Sequence, residues 1–189
     1  MKHSRQIREY LDDLCQAIHR LDVGELDAFI ELLVEARDDC RSIYIFGNGG
    51  SAATASHFAC DFNKGASYGR ERRFRMICLN DNLPTLMAYA NDVSYDDIFV
   101  EQLANFLEPQ DLVIGISGSG NSENVIRAIR YANEHQAITV GLCGFDGGRL
   151  AQEAQFKVHA ELHDMAKTED IHMIVDHMCS SIIATEPSD

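Results

Sequence analysis

The chain has 189 residues, of which 30 are Asp or Glu and only 16 are Lys or Arg, so its formal net charge is −14. This length fits one domain, and a hydrophobic fraction of 46% with 3 prolines supplies enough apolar material for a folded core. The acidity argues against a nucleic-acid partner, and because we find neither an apolar run of about 20 residues nor a signal peptide, we expect a cytoplasmic protein with no membrane partner.

Two amphipathic helices open the chain, because apolar residues recur at helical spacing from Ile7 to Ile18 and again from Leu26 to Ala36. Beyond them, short runs typical of strands alternate with helical stretches. The predicted strands are 42–46, 74–79, 112–116, 138–143 and 156–159. The predicted helices are 51–63, 83–90, 96–107, 121–134, 147–154 and 168–184. This alternation predicts an α/β fold in which helices cover both faces of a parallel sheet, with ligands bound at the carboxyl ends of the strands.

Two predicted strand-to-helix loops have compositions that suit a phosphate group. In the glycine loop (47–51, GNGGS), glycines allow successive N–H groups to converge on an anion at a helix N-terminus. In the serine loop (117–122, SGSGNS), three hydroxyls can donate hydrogen bonds to phosphate oxygens. Either loop alone could be an ordinary turn with a capping Ser or Asn. Two such loops at one edge of a parallel sheet favour a phosphomonoester site.

A dinucleotide site is an alternative interpretation of the glycine loop. Gly47, Gly49 and Ala52 satisfy the loose G-x-G-x-x-G/A pattern, and the acidic Asp81 ends the second predicted strand. However, the pattern follows two helices, Asp81 lies farther from Ala52 than the usual spacing of about 20 residues, and the serine loop would have no role. These features disfavour a dinucleotide.

Ligand-type side chains on two helices could bind a metal ion. His57 and Asp61 lie one turn apart, about 40° from each other around the helix axis. The last helix offers Glu169, Asp176 and His177, and the spacing aligns Glu169 with Asp176 or, less closely, with His177. Two His and two carboxylates would bind a divalent cation if the helices meet. A solvated His–carboxylate pair and a carboxylate at a helix start would explain the same residues.

Two further features are weaker candidates. Asn91 and Asp92 could reach a sugar hydroxyl but are equally compatible with a turn. The segment 69–75 (GRERRFR) is the one basic cluster, and such a cluster is more often a solvated loop than an anion clamp.

Together these segments resemble the phosphoheptose isomerases of the sugar isomerase (SIS) superfamily over nearly the whole chain. The resemblance implies a three-layer α/β/α fold with a five-stranded parallel, flavodoxin-like sheet, formed by a single SIS domain over 1–189. It also implies a homotetramer with active sites shared between subunits, in which the N-terminal helical pair, about 1–40, takes part in oligomerisation. A phosphorylated sugar would bind at the serine loop, and each site would hold one zinc ion.

Specific residues match the family's motifs. The resemblance implies metal ligands at His57, Asp61, Glu169 and His177, with Asp61 and His177 also acting as the catalytic residues of proton transfer. The positions implied to bind substrate are Asn48, Gly49, Gly50, Ser51, Asn91, Asp92, Ser117, Gly118, Ser119, Ser122 and Glu169.

Three positions depart from the family's pattern: Asp61 replaces a Glu, Glu169 replaces a Gln, and Gly118 replaces a Thr. The shorter Asp61 withdraws its oxygens by about one C–C bond length, and proton transfer is sensitive to such a displacement. Glu169 adds a negative charge, so iron or manganese could serve as readily as zinc.

The expected activity is aldose–ketose isomerisation of a phosphorylated sugar, with sedoheptulose 7-phosphate converted to D-glycero-D-manno-heptose 7-phosphate. Asp61 would remove the proton next to the carbonyl to give an enediol, His177 would move protons on the oxygens, and no organic cofactor would be needed. Two alternatives stay open. One is an isomerase of another phosphosugar, and the other is a non-catalytic phosphosugar-binding protein, such as those that associate with a bacterial replication initiator.

Overall fold

In the computed structural model, which describes residues 2–186, five parallel strands form one sheet in the order β2-β1-β3-β4-β5. The strands are β1 (Ser42–Gly47), β2 (Arg75–Cys78), β3 (Leu112–Ser117), β4 (Ile138–Cys143) and β5 (Phe156–His159). The three inner strands are almost wholly buried because helices cover both faces of the sheet. The predicted α/β class and the five predicted strands are confirmed.

Eight α-helices complete the three layers within residues 2–186. They are α1 (Ser4–His19), α2 (Val23–Asp38), α3 (Gly50–Cys60), α4 (Leu83–Asp92), α5 (Val100–Phe106), α6 (Glu123–Glu134), α7 (Leu150–Glu153) and α8 (Met165–Ala184). One apolar core lies between the sheet and α2, α3 and α8, and a second lies between the sheet, α5, α6 and α7. None of the helices in this part of the chain combines the length and apolar character needed to cross a bilayer.

The observed helices differ from the predicted ones mainly at their ends; α8, for example, begins at Met165 rather than at residue 168. The first helix after β1 ends in a π-helical turn over Asp61–Gly65. The predicted helix 96–107 is divided into a 3₁₀ turn at Tyr95–Asp97 and α5. The predicted helix 147–154 starts only at Leu150, because Gly147 and Gly148 adopt left-handed φ angles of +83° and +53°.

The order of the strands brings the two loops together. The chain runs outward from β1 to β2 in one direction and returns to β3 on the other side of β1. Gly47, the last residue of β1, pairs in register with Ile116, the second-last residue of β3. The glycine and serine loops therefore leave the sheet side by side at its topological switch point, where ligands bind in open α/β sheets.

Asparagine side chains hold the glycine loop in place. Asn80 receives a hydrogen bond from the Gly47 N–H (3.2 Å) and donates to the Gly47 carbonyl (3.0 Å). Asn48 and the buried Asn124 of α6 exchange two hydrogen bonds of 2.8 and 2.9 Å. The Tyr95 hydroxyl also donates to Asn48 Oδ1 at 2.8 Å. The Asn48 side chain is thus held by hydrogen bonds from two separate elements, α6 and the segment around Tyr95.

The serine loop is fixed by its backbone. Gly144 N–H donates to the Gly118 carbonyl (2.9 Å), and Leu150 N–H donates to the Gly120 carbonyl (2.8 Å). Gly120 has a left-handed φ of +66°, and a Cβ placed there would lie 2.1 Å from the Gly147 carbonyl oxygen. Only glycine permits this approach between the loop and the turn before α7.

The basic segment 69–75 stabilises helix ends rather than facing solvent alone. The Arg70 guanidinium donates to the carbonyls of Ile183, Ala184 and Glu186 at the end of α8. Arg72 and Arg75 donate to carbonyls at and just beyond the end of α2. Cations at these positions interact favourably with the carbonyl groups at the C-terminal ends of the two helices.

We expect Gly120→Ala to destabilise the fold, because the new Cβ meets a backbone oxygen and the left-handed φ is unfavourable for alanine. The expected loss is about 3 kcal/mol of unfolding free energy, measured by chemical denaturation. Gly69→Ala is the matched control, since its φ is also left-handed (+82°) but no atom lies within 4 Å of the new Cβ. Equal losses in the two variants would contradict the proposed contact.

We expect Asn124→Ala to lower the unfolding free energy by about 1–3 kcal/mol, because it removes both hydrogen bonds to Asn48. Thermal unfolding should record this as a decrease in Tm of roughly 2–4 °C per kcal/mol. Asn105→Ala, at an exposed position of α5, serves as the control and should change Tm much less. A Tm like that of the unmodified chain in Asn124→Ala would refute the role of this pair.

Candidate active site

The glycine loop, the serine loop and the start of α8 border an open cavity of about 290 Å³. Its lining residues are Asn48, Gly49, Gly50, Ser51, Ser117, Gly118, Ser119, Ser122, Met165 and Glu169. Nine of these were predicted to bind substrate, and Met165 was not. The topology therefore brings together most of the positions that the sequence singled out.

Neutral hydrogen-bond donors surround the serine-loop side of this cavity. Ser117 Oγ and Ser122 Oγ lie 3.0 Å apart, and Ser122 stands at the N-terminal end of the 12-residue helix α6. Within the described part of the chain, no Lys or Arg side chain lines the cavity. An anion here would be bound by hydroxyls, backbone N–H groups and the positive end of a helix dipole.

Glu169 lies on the glycine-loop side of the cavity. A Cβ placed on Gly50 would lie 2.4–2.5 Å from the carboxylate atoms of Glu169, so the glycine makes room for this side chain. The carboxylate thus rests against the first turn of α3, where the helix dipole favours a negative charge. A phosphate would meet less repulsion at the serine loop than at the glycine loop.

Asn91 and Asp92 lie at the end of α4, where both are exposed and the Asn91 amide donates to Asp92 Oδ1 at 2.7 Å. Neither residue lines the cavity formed by the two loops. Their predicted contact with substrate stays a prediction.

A second cluster joins α3 and α8 beyond the cavity. One potential ligand atom from each of His57, Asp61, Asp176 and His177 lies within 4.8 Å of the others. The Nε2 atoms of His57 and His177 are 3.1 Å apart, and Asp61 Oδ2 lies 3.5 and 3.9 Å from them. We call these four residues the histidine–aspartate group.

Asp61 occupies the point where α3 changes to a wider helical turn. The Ala66 N–H donates to the Asp61 carbonyl at 2.9 Å, a bond that spans five residues instead of four. Phe62 remains fully buried in the core, while Asp61 is only partly buried and faces the histidines. Single π-helical turns of this kind often occur at functional sites.

Asp176 is the fully buried member of the group. Its two carboxylate oxygens have no hydrogen-bond partner among residues 2–186. Burial, with a smaller contribution from the negative charge of Asp61, raises the pKa of Asp176 to about 8. Without a cation beside it, this carboxyl group is therefore largely protonated at neutral pH.

The chemistry and spacing of the group fit a divalent cation. Nitrogen and oxygen ligands of tetrahedral zinc, at about 2.0–2.2 Å from the ion, lie roughly 3.3–3.5 Å from one another. The separations of 3.1, 3.5 and 3.9 Å among His57, Asp61 and His177 differ from these values by about half an ångström or less, and Asp176 lies within 4.8 Å of all three. Two neutral imidazoles and two carboxylates suit zinc, iron or manganese.

The structure brings together three of the four residues predicted as metal ligands: His57, Asp61 and His177. The fourth, Glu169, lies in the cavity, and Asp176 completes the group instead. The role of Glu169 as a ligand stays a prediction that this geometry does not favour.

Sequence reasoning also missed Asn124, the residue of α6 whose side chain fixes Asn48. The available signal was a polar residue within the apolar stripe of α6.

Residues 7–144 match the family model of the SIS domain. The chain is 32% identical over 177 residues to a probable phosphoheptose isomerase of Thermoplasma acidophilum, covering 93% of this chain and 96% of the relative. It is 35% identical over 164 residues to the phosphoheptose isomerase of Aliarcobacter butzleri, covering 86% of each chain.

Solved structures have the same fold. A phosphoheptose isomerase from Neisseria gonorrhoeae superposes with a TM-score of 0.88 and 26% identity, covering 96% of this chain and 98% of the other. One from Francisella tularensis gives a TM-score of 0.89 at 22% identity, covering 98% and 100%, and supports the fold alone. The chain therefore belongs to the phosphoheptose isomerases of the SIS domain family and is an isomerase.

Proposed function

We propose that this protein interconverts the ketose sedoheptulose 7-phosphate and the aldose D-glycero-D-manno-heptose 7-phosphate. The observation that carries the proposal is a cavity that is lined on one side by the serine-loop hydroxyls and on the other by the starts of α3 and α8, the helices that also carry the histidine–aspartate group. Relatives at 32% and 35% identity are named as phosphoheptose isomerases. Both lines support a phosphorylated sugar as substrate and an enzyme rather than a passive binding protein.

The separation of the two features favours a long sugar phosphate. On α8, Glu169 in the cavity precedes His177 by eight residues, or about 12 Å along the axis. On α3, Gly50 precedes His57 by seven residues, or roughly 10 Å. An extended seven-carbon chain with a terminal phosphate has a comparable length. The serine loop would bind the phosphate while the carbonyl end lies at the histidines.

The chain's own residues would perform the proton transfers. Asp61 would remove the proton from the carbon next to the carbonyl, giving an enediol, and would return it to the neighbouring carbon. His177 would exchange protons with the two adjacent oxygens, and its exposed ring can reach a substrate in the opening of the site. A divalent cation bound at the histidine–aspartate group would supply Lewis-acid polarisation of the substrate oxygens.

The assembly and its location are part of the same proposal. Ile7 and Leu11 of α1 are 57% and 52% exposed, which supports the predicted use of the N-terminal helices in a homotetramer. We expect a cytoplasmic enzyme with zinc as its metal and no organic cofactor.

Incubation with sedoheptulose 7-phosphate in D₂O, with one equivalent of Zn²⁺, should yield the aldose with deuterium at the exchanged carbon, detected by NMR. His177→Ala should reduce kcat by about 100-fold or more, because it removes an acid–base group. No aldose and no deuterium would overturn the proposed reaction. Binding of the sugar phosphate without turnover would favour the alternative of a non-catalytic phosphosugar-binding protein.

The serine loop should act mainly on substrate affinity. We expect Ser122→Ala to raise KM for the phosphorylated substrate by ~10–100-fold, because it loses a hydrogen bond to a charged group. The change in kcat should be small, since the loop lies far from the reacting carbons. Ser181→Ala, on the exposed side of α8, is the control and should leave KM unchanged. An unaltered KM in Ser122→Ala would place the phosphate elsewhere.

A further inference from the structure

Among the described residues, Asp176 and His172, both on α8, have fully buried side-chain polar atoms without a hydrogen-bond partner, and Asp176 is the acidic one. It is completely buried on α8, on a stripe that includes Cys179 and Ile183, and both of its carboxylate oxygens lack a hydrogen-bond partner. A buried carboxylate without a partner is costly, and an apolar side chain would pack there at lower cost. The residue therefore requires an explanation other than stabilisation of the empty fold.

The surroundings of Asp176 indicate what would satisfy it. The titratable groups that converge on it are His57 and His177, whose ring nitrogens can serve as ligands, and Asp61, which is another acid. No Lys or Arg of the described residues donates a hydrogen bond to it. A cation placed between these atoms would be the missing positive charge.

We propose that Asp176 is the fourth ligand of the divalent cation bound by His57, Asp61 and His177, and that Glu169 remains in the substrate cavity. This inference rests on the metal centre of the proposed function and deepens it. Two imidazoles and two carboxylates would give a site with no net charge around a divalent ion. Glu169 is then not a metal ligand, and its negative charge is not part of the metal site.

The position of Glu169 supports this division of roles. Its carboxylate occupies the space that the missing Cβ of Gly50 leaves open, and it lines the cavity with Ser122 and Met165. Asp176 already lies within the histidine–aspartate group. Binding of an ion would thus require smaller movements of Asp176 than of Glu169.

A matched pair of variants tests the assignment. Asp176→Asn and Glu169→Gln each replace a carboxyl group of α8 by an amide while preserving the size of the side chain. The metal-free full-length proteins are titrated with Zn²⁺ in competition with a chromophoric chelator. We expect Asp176→Asn to weaken Zn²⁺ binding by at least about 100-fold, beyond the range typical of residues that only support a ligand. Glu169→Gln should remain within about threefold of the unmodified chain.

A second readout separates ligation from folding. Because the metal-free protein contains a buried carboxyl group without partners, metal-free Asp176→Leu should be at least as stable to heat as the metal-free unmodified chain. Zn²⁺ should raise Tm for the unmodified chain but not for Asp176→Leu. The visible absorption of the Co²⁺-substituted protein should change in Asp176→Asn and stay the same in Glu169→Gln.

Unmodified Zn²⁺ affinity in Asp176→Asn would overturn the assignment, and loss of affinity in Glu169→Gln alone would transfer the role to Glu169. These outcomes are independent of the isomerase assay. If the unmodified chain is active and Asp176→Asn binds Zn²⁺ as tightly as the unmodified chain, only the assignment of Asp176 as a ligand is rejected. If the unmodified chain is inactive and Asp176→Asn loses Zn²⁺ affinity, only the proposed reaction is rejected.

Discussion

The pairing of β1 with β3 is the constraint on which the site depends. Gly47 opposite Ile116 sets the ends of the two strands side by side, so the glycine and serine loops border one cavity. The helix that follows each loop then starts at that cavity, and both N-terminal helix ends contribute positive potential to it. A slip of one residue in this register would move one loop relative to the other and turn its side chains to the opposite face.

The histidine–aspartate group depends in the same way on the packing of α3 against α8. Phe58 and Phe62 from the α3 side and Val175 and Cys179 from α8 belong to one apolar core. Their burial fixes the rotation of both helices, and this rotation directs His57 and His177 toward each other. The core therefore holds Asp176 at a position where its carboxylate could not persist as an anion without a cation.

Local sequence patterns were sufficient to predict the secondary structure and the loops that line the cavity. Alternating strand and helix signals gave the architecture, and the loop compositions located most of the cavity lining. These patterns could not show whether Glu169 or Asp176 lies beside His57, Asp61 and His177. That depends on the rotation of α8 about its axis, which core contacts distant in the sequence determine. The pair Asn48 and Asn124 was missed for a similar reason, since 76 residues separate its members and only the folded sheet brings them together.

The net charge of −14 does not decide how the protein treats an anion. At the serine loop, hydroxyls and N–H groups can bind a phosphate without any Lys or Arg in the lining. At the other end, a divalent cation would balance Asp61 and Asp176, a charge that the sequence count omits. Glu169, left between the two, would repel an anion that slid toward the glycine loop. The acidic residues would thus orient the substrate with its phosphate at the serine loop and its carbonyl at the histidines.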